Sequence, residues 1–259
     1  MKFHELTAPR IRALEKPSVL VLVPIAAVEQ HGPHLPTGTD TIICTAIAER
    51  IEQRFPHRVL LVPTVWLGAS AHHLRFGATL SAELESFIHT LKDIGRSLLD
   101  QGFRRLLFLN GHGGNVDPLH VALRVLNAEC PEALLAGGSY WSVAAKVIAS
   151  LLEGEHKDVG HACELETSLI MHLRPELVDG ERVRDAGYLV PNVIDGLFVA
   201  RDMRQRTREG ATGRPDLASA EKGRRLFDGI VEALAATVER LLTEPLGTEY
   251  SDFVPAGSE

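Results

Sequence analysis

Short apolar runs alternate with longer amphipathic stretches over most of the chain, and this alternation predicts the fold. Four runs have the length and continuous apolar character of buried strands, at residues 19–23, 59–62, 105–109 and 134–136. Stretches with apolar residues at helical spacing predict helices over 41–54, 81–101, 116–129, 161–173 and 219–242. Apolar strands that alternate with helices are typical of a mostly parallel sheet covered on both faces. We therefore expect an α/β fold with three α/β/α layers.

The domain organisation is expected to be simple. No linker, internal repeat or low-complexity tract interrupts the chain, so we predict one domain over residues 1–259 with its core at about 18–242. Residues 176–216 depart from the pattern, because they are polar and rich in turns and carry no motif that we can interpret. We expect this segment to contribute to substrate specificity.

Composition and charge exclude several classes of function. The net charge of −7 argues against a nucleic-acid partner bound by bulk electrostatics. No run of about 18 apolar residues is present, which argues against a membrane-spanning helix. The three cysteines form no CxxC pair, and the start of the chain lacks the apolar segment of a secretory signal. We therefore predict a cytoplasmic protein that acts on a small molecule.

The loop after the first predicted strand is the richest in chemistry. Its sequence, EQHGPHLPTGTD, places Glu29, His31, His34 and Asp40 on a segment stiffened by two prolines. Carboxylate and imidazole groups together suit a divalent metal ion. Two simpler interpretations stay open: Asp40 could be the N-cap of the next helix, and Glu29 and His31 could belong to a solvated polar loop.

A second candidate residue follows the third predicted strand, in the sequence NGHGGN. Here His112 lies among glycines that let the backbone turn sharply and let a ligand approach closely. The alternative is a glycine-rich turn with an incidental histidine. Asn115 is expected to cap the helix that begins after this turn.

A third candidate is a carboxylate on the apolar face of a helix. In the sequence HACELETSLIMHL, which starts at His161, Glu166 falls within the apolar stripe and Glu164 on the opposite side, where we expect water to reach it. A buried carboxylate needs a partner that offsets its desolvation. A metal would serve for Glu166, and so would an arginine or lysine from elsewhere in the chain.

Other candidates are weaker. His72 and His73 could line a pocket or lie on the surface, and Trp141 could form a pocket wall or be part of the core. The arginine-rich run 201–208 is typical of a solvated face, although it could also recognise an anionic substrate. The thiol of Cys163 could be a weak ligand or a small buried group.

The motifs taken together resemble the creatininase family of metal-dependent amidohydrolases. The resemblance lies in Glu29-x-His31-Gly-Pro-His34-Leu-Pro with Asp40, in Asn110-Gly-His112-Gly-Gly-Asn115 and in His161-Ala-x-x-x-Glu166-Thr-Ser, with further similarity at 76–81 and 218–224. These motifs extend over about 19–242 in the family's order. The resemblance implies a three-layer α/β/α fold, a homo-oligomer that is often a hexamer, and a centre of two divalent ions. Zinc is the expected metal, with manganese or iron as alternatives.

The resemblance also implies roles for individual residues. Asp40 would bridge the two ions, Glu29 and His112 would complete one shell, and His31 would serve the other. Creatinine hydrolases carry a glutamate ligand where this chain has Gly114, so Glu166 is expected to replace it. The expected proton donor to the leaving nitrogen is His161, with His34 as the fallback. Otherwise we expect His34, His72 and Trp141 to contact the substrate or to orient a ligand.

A second departure concerns the substrate. Creatinine hydrolases place a glutamate directly before the later histidine and a tryptophan shortly before it, whereas this chain has Gly160 there and no tryptophan after Trp141. We therefore predict an amidohydrolase that cleaves a non-peptide C–N bond, in a cyclic amide or a formamide, through a hydroxide held between two ions. The alternatives are hydrolysis of a lactone or of a C–C bond in a cyclic polyol-derived ketone, a precursor-peptide peptidase, and a non-catalytic metal- or metabolite-binding protein.

Overall fold

The central sheet of the protein has four parallel strands in the order β2-β1-β3-β4. The computed structural model describes residues 1–155 and 157–249. Its strands are β1 (Leu20–Ile25), β2 (Val59–Leu61), β3 (Arg105–Asn110) and β4 (Leu134–Ser139). Each predicted strand is present, and the prediction of a parallel sheet is confirmed. The central position of β1 explains its near-continuous apolar sequence, because every residue of the strand is buried.

The predicted helices are also present, with shifted ends. The helices are α1 (Ala8–Arg12), α2 (Thr39–Arg54), α3 (Leu84–Asp100), α4 (Val116–Glu129), α5 (Tyr140–Val143), α6 (Ala145–Leu151), α7 (Glu164–Leu173) and α8 (Ala220–Thr243). The prediction missed α1, α5 and α6, which are too short to show a clear helical period. The start of α7 at 164 rather than 161 has a local cause, because Ala162 has a φ of 48°, outside the right-handed helical region.

Helices cover both faces of the sheet. Because successive strand residues point to opposite faces, Val21 and Val23 pack in one apolar core with residues of α3 and α4. Leu20 and Leu22 belong to the other core, with residues of α2, α7 and α8. The predicted three-layer α/β/α arrangement is therefore confirmed.

The packing of α7 against α8 corrects one expectation from the sequence. The helices approach so closely that a Cβ at Gly223 would lie 1.8 Å from the carbonyl oxygen of Ser168. This contact covers the helix side on which Glu164 lies, and its side chain is buried rather than accessible to water. The carboxylate accepts hydrogen bonds from Lys222 Nζ and from the backbone N–H groups of Glu153 and Gly154.

The turn-rich segment 176–216 lies across the end of the sheet where the candidate site is found. It contains short 3₁₀ turns and a small antiparallel hairpin of β5 (Val193–Ile194) and β6 (Leu197–Phe198). Its residues Leu189, Met203 and Arg206 line the same pocket as Glu29 and His112. Among the described residues, no helix is long and apolar enough to cross a membrane.

Candidate metal centre

The loops that follow β1 and β3 end at the same edge of the sheet, because parallel strands place their carboxyl ends together. This edge brings the EQHGPHLPTGTD loop beside the glycine-rich turn that carries His112. Helix α2 begins at Thr39, after Gly38 as the N-cap, so Asp40 lies inside the first helical turn. The N-cap interpretation of Asp40 is therefore wrong.

The hydrogen bonds of His112 leave one ring nitrogen free for a ligand. Its Nε2 lies 3.2 Å from the carbonyl oxygen of Ala69, which can only accept, so Nε2 carries the proton. In the neutral ring Nδ1 is then unprotonated, and it faces two carboxylates, at 3.2 Å from Glu29 Oε1 and 3.1 Å from Asp40 Oδ2. A lone pair and carboxylate oxygens at these distances repel one another unless a cation or a proton lies between them.

In His31 the roles of the two ring nitrogens are the opposite of those in His112, with Nδ1 hydrogen-bonded to the backbone and Nε2 facing carboxylates. Its Nδ1 lies 3.1 Å from the backbone oxygen of Glu29, so Nδ1 donates to that oxygen. The other nitrogen, Nε2, faces carboxylate oxygens at 3.1 Å in Asp40 and 3.9 Å in Glu166. A backbone carbonyl that fixes the tautomer of an imidazole is typical of histidine ligands in metal sites.

Asp40 lies between these two imidazoles. Its Oδ1 faces His31 and its Oδ2 faces His112. Three buried atoms of this group, Glu29 Oε2, His31 Nε2 and Asp40 Oδ2, make no hydrogen bond to any described residue. Buried polar atoms without partners are rare, and three in one place indicate that a ligand completes them. Oxygen and imidazole donors of this kind fit a divalent metal.

Three overlapping groups of side chains have ligand atoms within 4.8 Å of one another and could each hold a metal ion. The groups are His31, Asp40 and Glu166; Glu29, His72 and His112; and Glu29, His31 and His161. All members are buried apart from His72, which is half-buried. The protein thus has two adjacent sets of His, Asp and Glu side chains that can bind metal.

The ionisable groups of the centre strongly shift one another's pKa values. Burial alone would lower the pKa of His112, but Glu29 and Asp40 raise it to about 10. Burial likewise opposes the effect of Asp40 on His31, whose pKa is still raised well above its ordinary value. The two imidazoles hold the pKa of Asp40 far below its usual range despite its burial. The carboxylates therefore stabilise positive charge between them and the imidazoles, and a divalent cation would supply that charge in place of protons.

His161 and His73 complete the inner wall of the site. His161 donates from Nε2 to the backbone oxygen of Gln30 at 2.7 Å, which turns its Nδ1 towards Glu29 Oε1 at 3.7 Å. Burial and the neighbouring His31 lower the pKa of His161 to about 3. His73 accepts at Nδ1 from the Gln30 amide and therefore donates from Nε2 to Glu29 Oε1 at 3.2 Å.

Sequence reasoning left the position of His73 open and did not single out Gln30. His73 orients Glu29 by donating to its carboxylate, and Gln30 orients His161 through its backbone carbonyl. The double histidine in the sequence was the available signal for His73. It did not indicate which imidazole would turn inward, because the residues form an irregular 3₁₀ segment without a fixed side-chain period.

The structure places two further predicted residues of the surrounding loops. Asn115 occupies the predicted N-cap position of α4 but makes no capping hydrogen bond; its side chain accepts from the backbone N–H of Ala69 and donates to the carbonyl of Ala26, and so joins two loops at the site. His34 lies outside the wall of the pocket, with its Nε2 2.9 Å from Thr167 Oγ1 on α7. From this position His34 contacts the helix that carries Glu166, and its expected roles as a residue that orients a ligand and as the fallback proton donor stay predictions.

Gly114 and Gly160, which depart from the creatinine hydrolase pattern, lie where neighbouring atoms leave no room for a side chain. A Cβ at Gly114 would lie 2.1 Å from the carbonyl oxygen of Ala69 and 2.6 Å from His112 Nε2. A Cβ at Gly160 would lie 2.4 Å from Thr212 Oγ1, which accepts a hydrogen bond from the backbone of His161. Neither position of this protein accommodates a glutamate without rearrangement.

The centre lies in a pocket of about 300 Å³. Trp141 forms part of its wall, together with His72 and with Leu189, Met203 and Arg206 from the turn-rich segment. A larger cavity of about 520 Å³ adjoins it and shares Val159, Gly160, Leu189 and Arg206 as lining residues.

Comparison with known proteins decides the family. A sequence model described as creatininase, creatinine amidohydrolase, matches residues 4–238. The chain belongs to the creatininase family. A solved structure of creatinine amidohydrolase (creatininase) has a TM-score of 0.80 and 28% identity, with 94% of this chain and 98% of that chain covered. Further creatininase structures, described as Mn and as Zn-Zn type, match with a TM-score of 0.79. This creatininase-family protein is therefore a metal-dependent hydrolase.

Several relatives with different named activities match most of the chain. The mycofactocin precursor peptide peptidase of Mycobacterium tuberculosis is 33% identical, with 94% of each chain covered. The 3-dehydro-scyllo-inosose hydrolase of Thermotoga maritima is 29% identical, with 93% of this chain and 82% of that protein covered. The creatinine amidohydrolase of Pseudomonas putida is 29% identical, with 85% and 88% covered.

Proposed function

We propose that this protein is a two-metal hydrolase that cleaves an amide bond in a peptide, which is the peptidase alternative rather than the expected non-peptide C–N hydrolase. The observation that carries this proposal is the second cavity, which continues from the metal pocket past Val159, Gly160, Leu189 and Arg206. A single-ring substrate needs only the smaller space, whereas an extended chain can occupy both. The match to precursor peptide peptidases over 94% of each chain supports this substrate class.

The proposed ligand assignment follows the two sets of side chains. Glu29, His72 and His112 would hold one ion and His31 and Glu166 the other, with Asp40 between the two sets of side chains. Two bound divalent ions would polarise the substrate carbonyl and supply a hydroxide nucleophile near neutral pH. The assignment of His72 extends the ligand set that was expected from the sequence.

The remaining residues of the site position groups and move protons. His161 keeps its Nε2 proton on the Gln30 carbonyl, so Nδ1 is placed to take a proton from the attacking water and pass it to the leaving nitrogen. His73 holds Glu29 Oε1 in place with a hydrogen bond of 3.2 Å. Val159, Leu189 and Met203 form an apolar side of the pocket.

A mass-spectrometric substrate screen tests the proposal. Protein loaded with zinc or manganese is incubated with peptides of ten residues and, separately, with cyclic amides, formamides and lactones. We expect metal-dependent peptide fragments that are absent with Asp40→Asn, a replacement that keeps the shape of the side chain. Turnover of the small amides or lactones without any peptide cleavage would instead support hydrolysis of a small molecule in the metal pocket alone.

We also propose that the protein forms a homo-oligomer. The hairpin of β5 and β6 exposes Val193, Ile194, Leu197 and Phe198, each more than half accessible to solvent. Such a contiguous apolar patch is typical of a protein interface. Light scattering coupled to size-exclusion chromatography would measure the mass, and a monomer at micromolar concentration would contradict this proposal.

A further inference from the structure

We propose that Arg206 determines substrate specificity by binding a carboxylate of the peptide where the metal pocket meets the larger cavity. This inference rests on the proposed peptidase function and adds to it a chemical class of substrate. The carboxylate can come from the end of the peptide chain or from an acidic side chain, and the experiment below distinguishes the two sources.

The position of Arg206 sets it apart from the other residues shared by the two cavities. Val159, Gly160 and Leu189 are apolar, so Arg206 brings the charge at this junction. A substrate that occupies both cavities crosses the boundary that Arg206 lines with these three residues. A charge placed at such a boundary acts on the register of the substrate as well as on its affinity.

Among the residues that the structure describes, the guanidinium group has no carboxylate partner. Its Nε donates to the carbonyl oxygen of Val190 at 2.8 Å, and one Nη lies 3.9 Å from Met203 Sδ. No carboxylate of the described residues lies within 4.0 Å of it, whereas nearby Arg184 and Arg214 are paired with Glu209 and Asp216.

Arg206 is also half-buried, unlike its exposed neighbour Arg208. A charged group that loses water without gaining a counter-ion is costly, and an anionic ligand would offset that cost. Its Nη groups make no hydrogen bond to an oxygen of the described residues. The planar fork of an arginine suits a carboxylate, which it can bind with two parallel hydrogen bonds.

The larger cavity explains why the anion would stay at the junction. Its lining includes the acidic residues Glu155, Asp158 and Asp185, which disfavour a second negative charge there, and its other arginine, Arg214, is already paired with Asp216 and lies 3.7 Å from Asp185.

Calorimetric titration with matched peptides tests the inference. The zinc-loaded protein is titrated with acetyl-Leu-Leu as the free acid and as the amide, and with acetyl-Leu-Glu-amide and acetyl-Leu-Gln-amide. The proteins are the wild type, Arg206→Met, Arg206→Lys and the control Arg208→Met, which removes an exposed charge from the same segment. Repeating the titrations after metal removal separates binding at Arg206 from binding of the carboxylate to zinc.

We expect Arg206→Met to weaken binding of a carboxylate peptide by about 10- to 100-fold more than binding of its neutral partner, as for a lost charge-assisted hydrogen bond. Arg206→Lys should recover part of the affinity, and Arg208→Met should match the wild type. The peptide pair that shows the effect identifies the source of the carboxylate. An equal loss for acid and amide, or no preference for acids in the wild type, would overturn the inference.

The outcome also separates this inference from the proposed function. A carboxylate preference that depends on Arg206, without cleavage of any peptide, would remove the peptidase proposal and leave the anion site. Peptide cleavage with a KM that is unchanged in Arg206→Met would support the peptidase proposal and remove the anion site at Arg206.

Discussion

Helix α7 carries two buried carboxylates, Glu164 and Glu166, whose surroundings differ completely. Glu164 accepts a hydrogen bond from Lys222 Nζ. It also accepts one from each of two backbone N–H groups, and these two bonds are 2.9 Å long. Glu166 faces the metal pocket, where its nearest polar contacts are the backbone N–H of Cys163 at 3.4 Å and His31 Nε2 at 3.9 Å. The two side chains are about equally buried, at 4% and 5% exposed.

The comparison shows that burial of a carboxylate does not by itself identify a metal ligand. Desolvation must be offset in both cases, and for Glu164 the protein supplies the cation and the hydrogen bonds. For Glu166 no lysine or arginine of the described residues lies within 4.0 Å. Glu166 is therefore the better candidate to bind an external cation. The same substitution should change metal content at Glu166 and stability at Glu164.

The largest expected effect is on catalysis, from Glu166→Gln. We expect the activity to fall at least about 100-fold, with about one metal ion lost per chain, because an amide is a much weaker ligand than a carboxylate. Metal analysis and steady-state kinetics would measure both. Glu164→Gln is the matched control, and equal metal loss in the two variants would remove the distinction between them.

The second prediction concerns stability. Glu164→Gln removes the buried carboxylate partner of Lys222 and leaves it with the exposed Glu153 at 2.9 Å, so we expect the free energy of unfolding to fall by about 2 kcal/mol. Denaturant titration would measure the change, and the metal content should stay at the wild-type value. A variant that is as stable as the wild type would show that the ion pair has no structural role.

The third prediction tests the hydrogen bond that positions Glu29. His73→Ala removes the donor to Oε1, and we expect metal affinity to fall by about 10- to 100-fold, as for other groups that orient a ligand. Competition with a chromogenic chelator would give the affinity. His89→Ala on the exposed face of α3 serves as the control, and an unchanged affinity in His73→Ala would contradict the proposed positioning.

The smallest effect is expected from removing both charges of the structural pair. In Glu164→Gln with Lys222→Met, no buried charge of this pair remains, and Glu153, which loses its contact with Lys222, is exposed to water, so the loss of stability should shrink to about 1 kcal/mol. Thermal and denaturant unfolding of the two single variants and the double variant would give the coupling energy. Simple additivity of the single effects would show that the side chains act independently.

The fold was largely predictable because its elements have strong local signals. The continuous apolar runs identified β1 and β3, and helical periodicity identified α3 and α8. Short elements such as α5 and α6 lack enough residues to show a period. The interpretation as one domain stays a prediction.

The candidate site was predictable in its residue types and less so in its contacts. Glu29, His31, Asp40, His112 and Glu166 come together as expected, although their roles as ligands stay a prediction. The inward turn of His73, the position of His34 and the partner of Asn115 depend on loops without a repeating pattern. No local rule fixes side-chain direction in such loops.

By itself, the sequence determined the order of the strands and helices, the loops that carry carboxylates and imidazoles, and the chemistry that such groups can perform. Only the tertiary structure decided which buried carboxylate has a partner, because Lys222 reaches Glu164 from 58 residues away. It also decided that Gly114 and Gly160 have no room for a side chain, and that Arg206 lies at the junction of two cavities. These properties depend on distances between elements that are far apart in the chain, and hydrophobic periodicity encodes the elements but not their contacts.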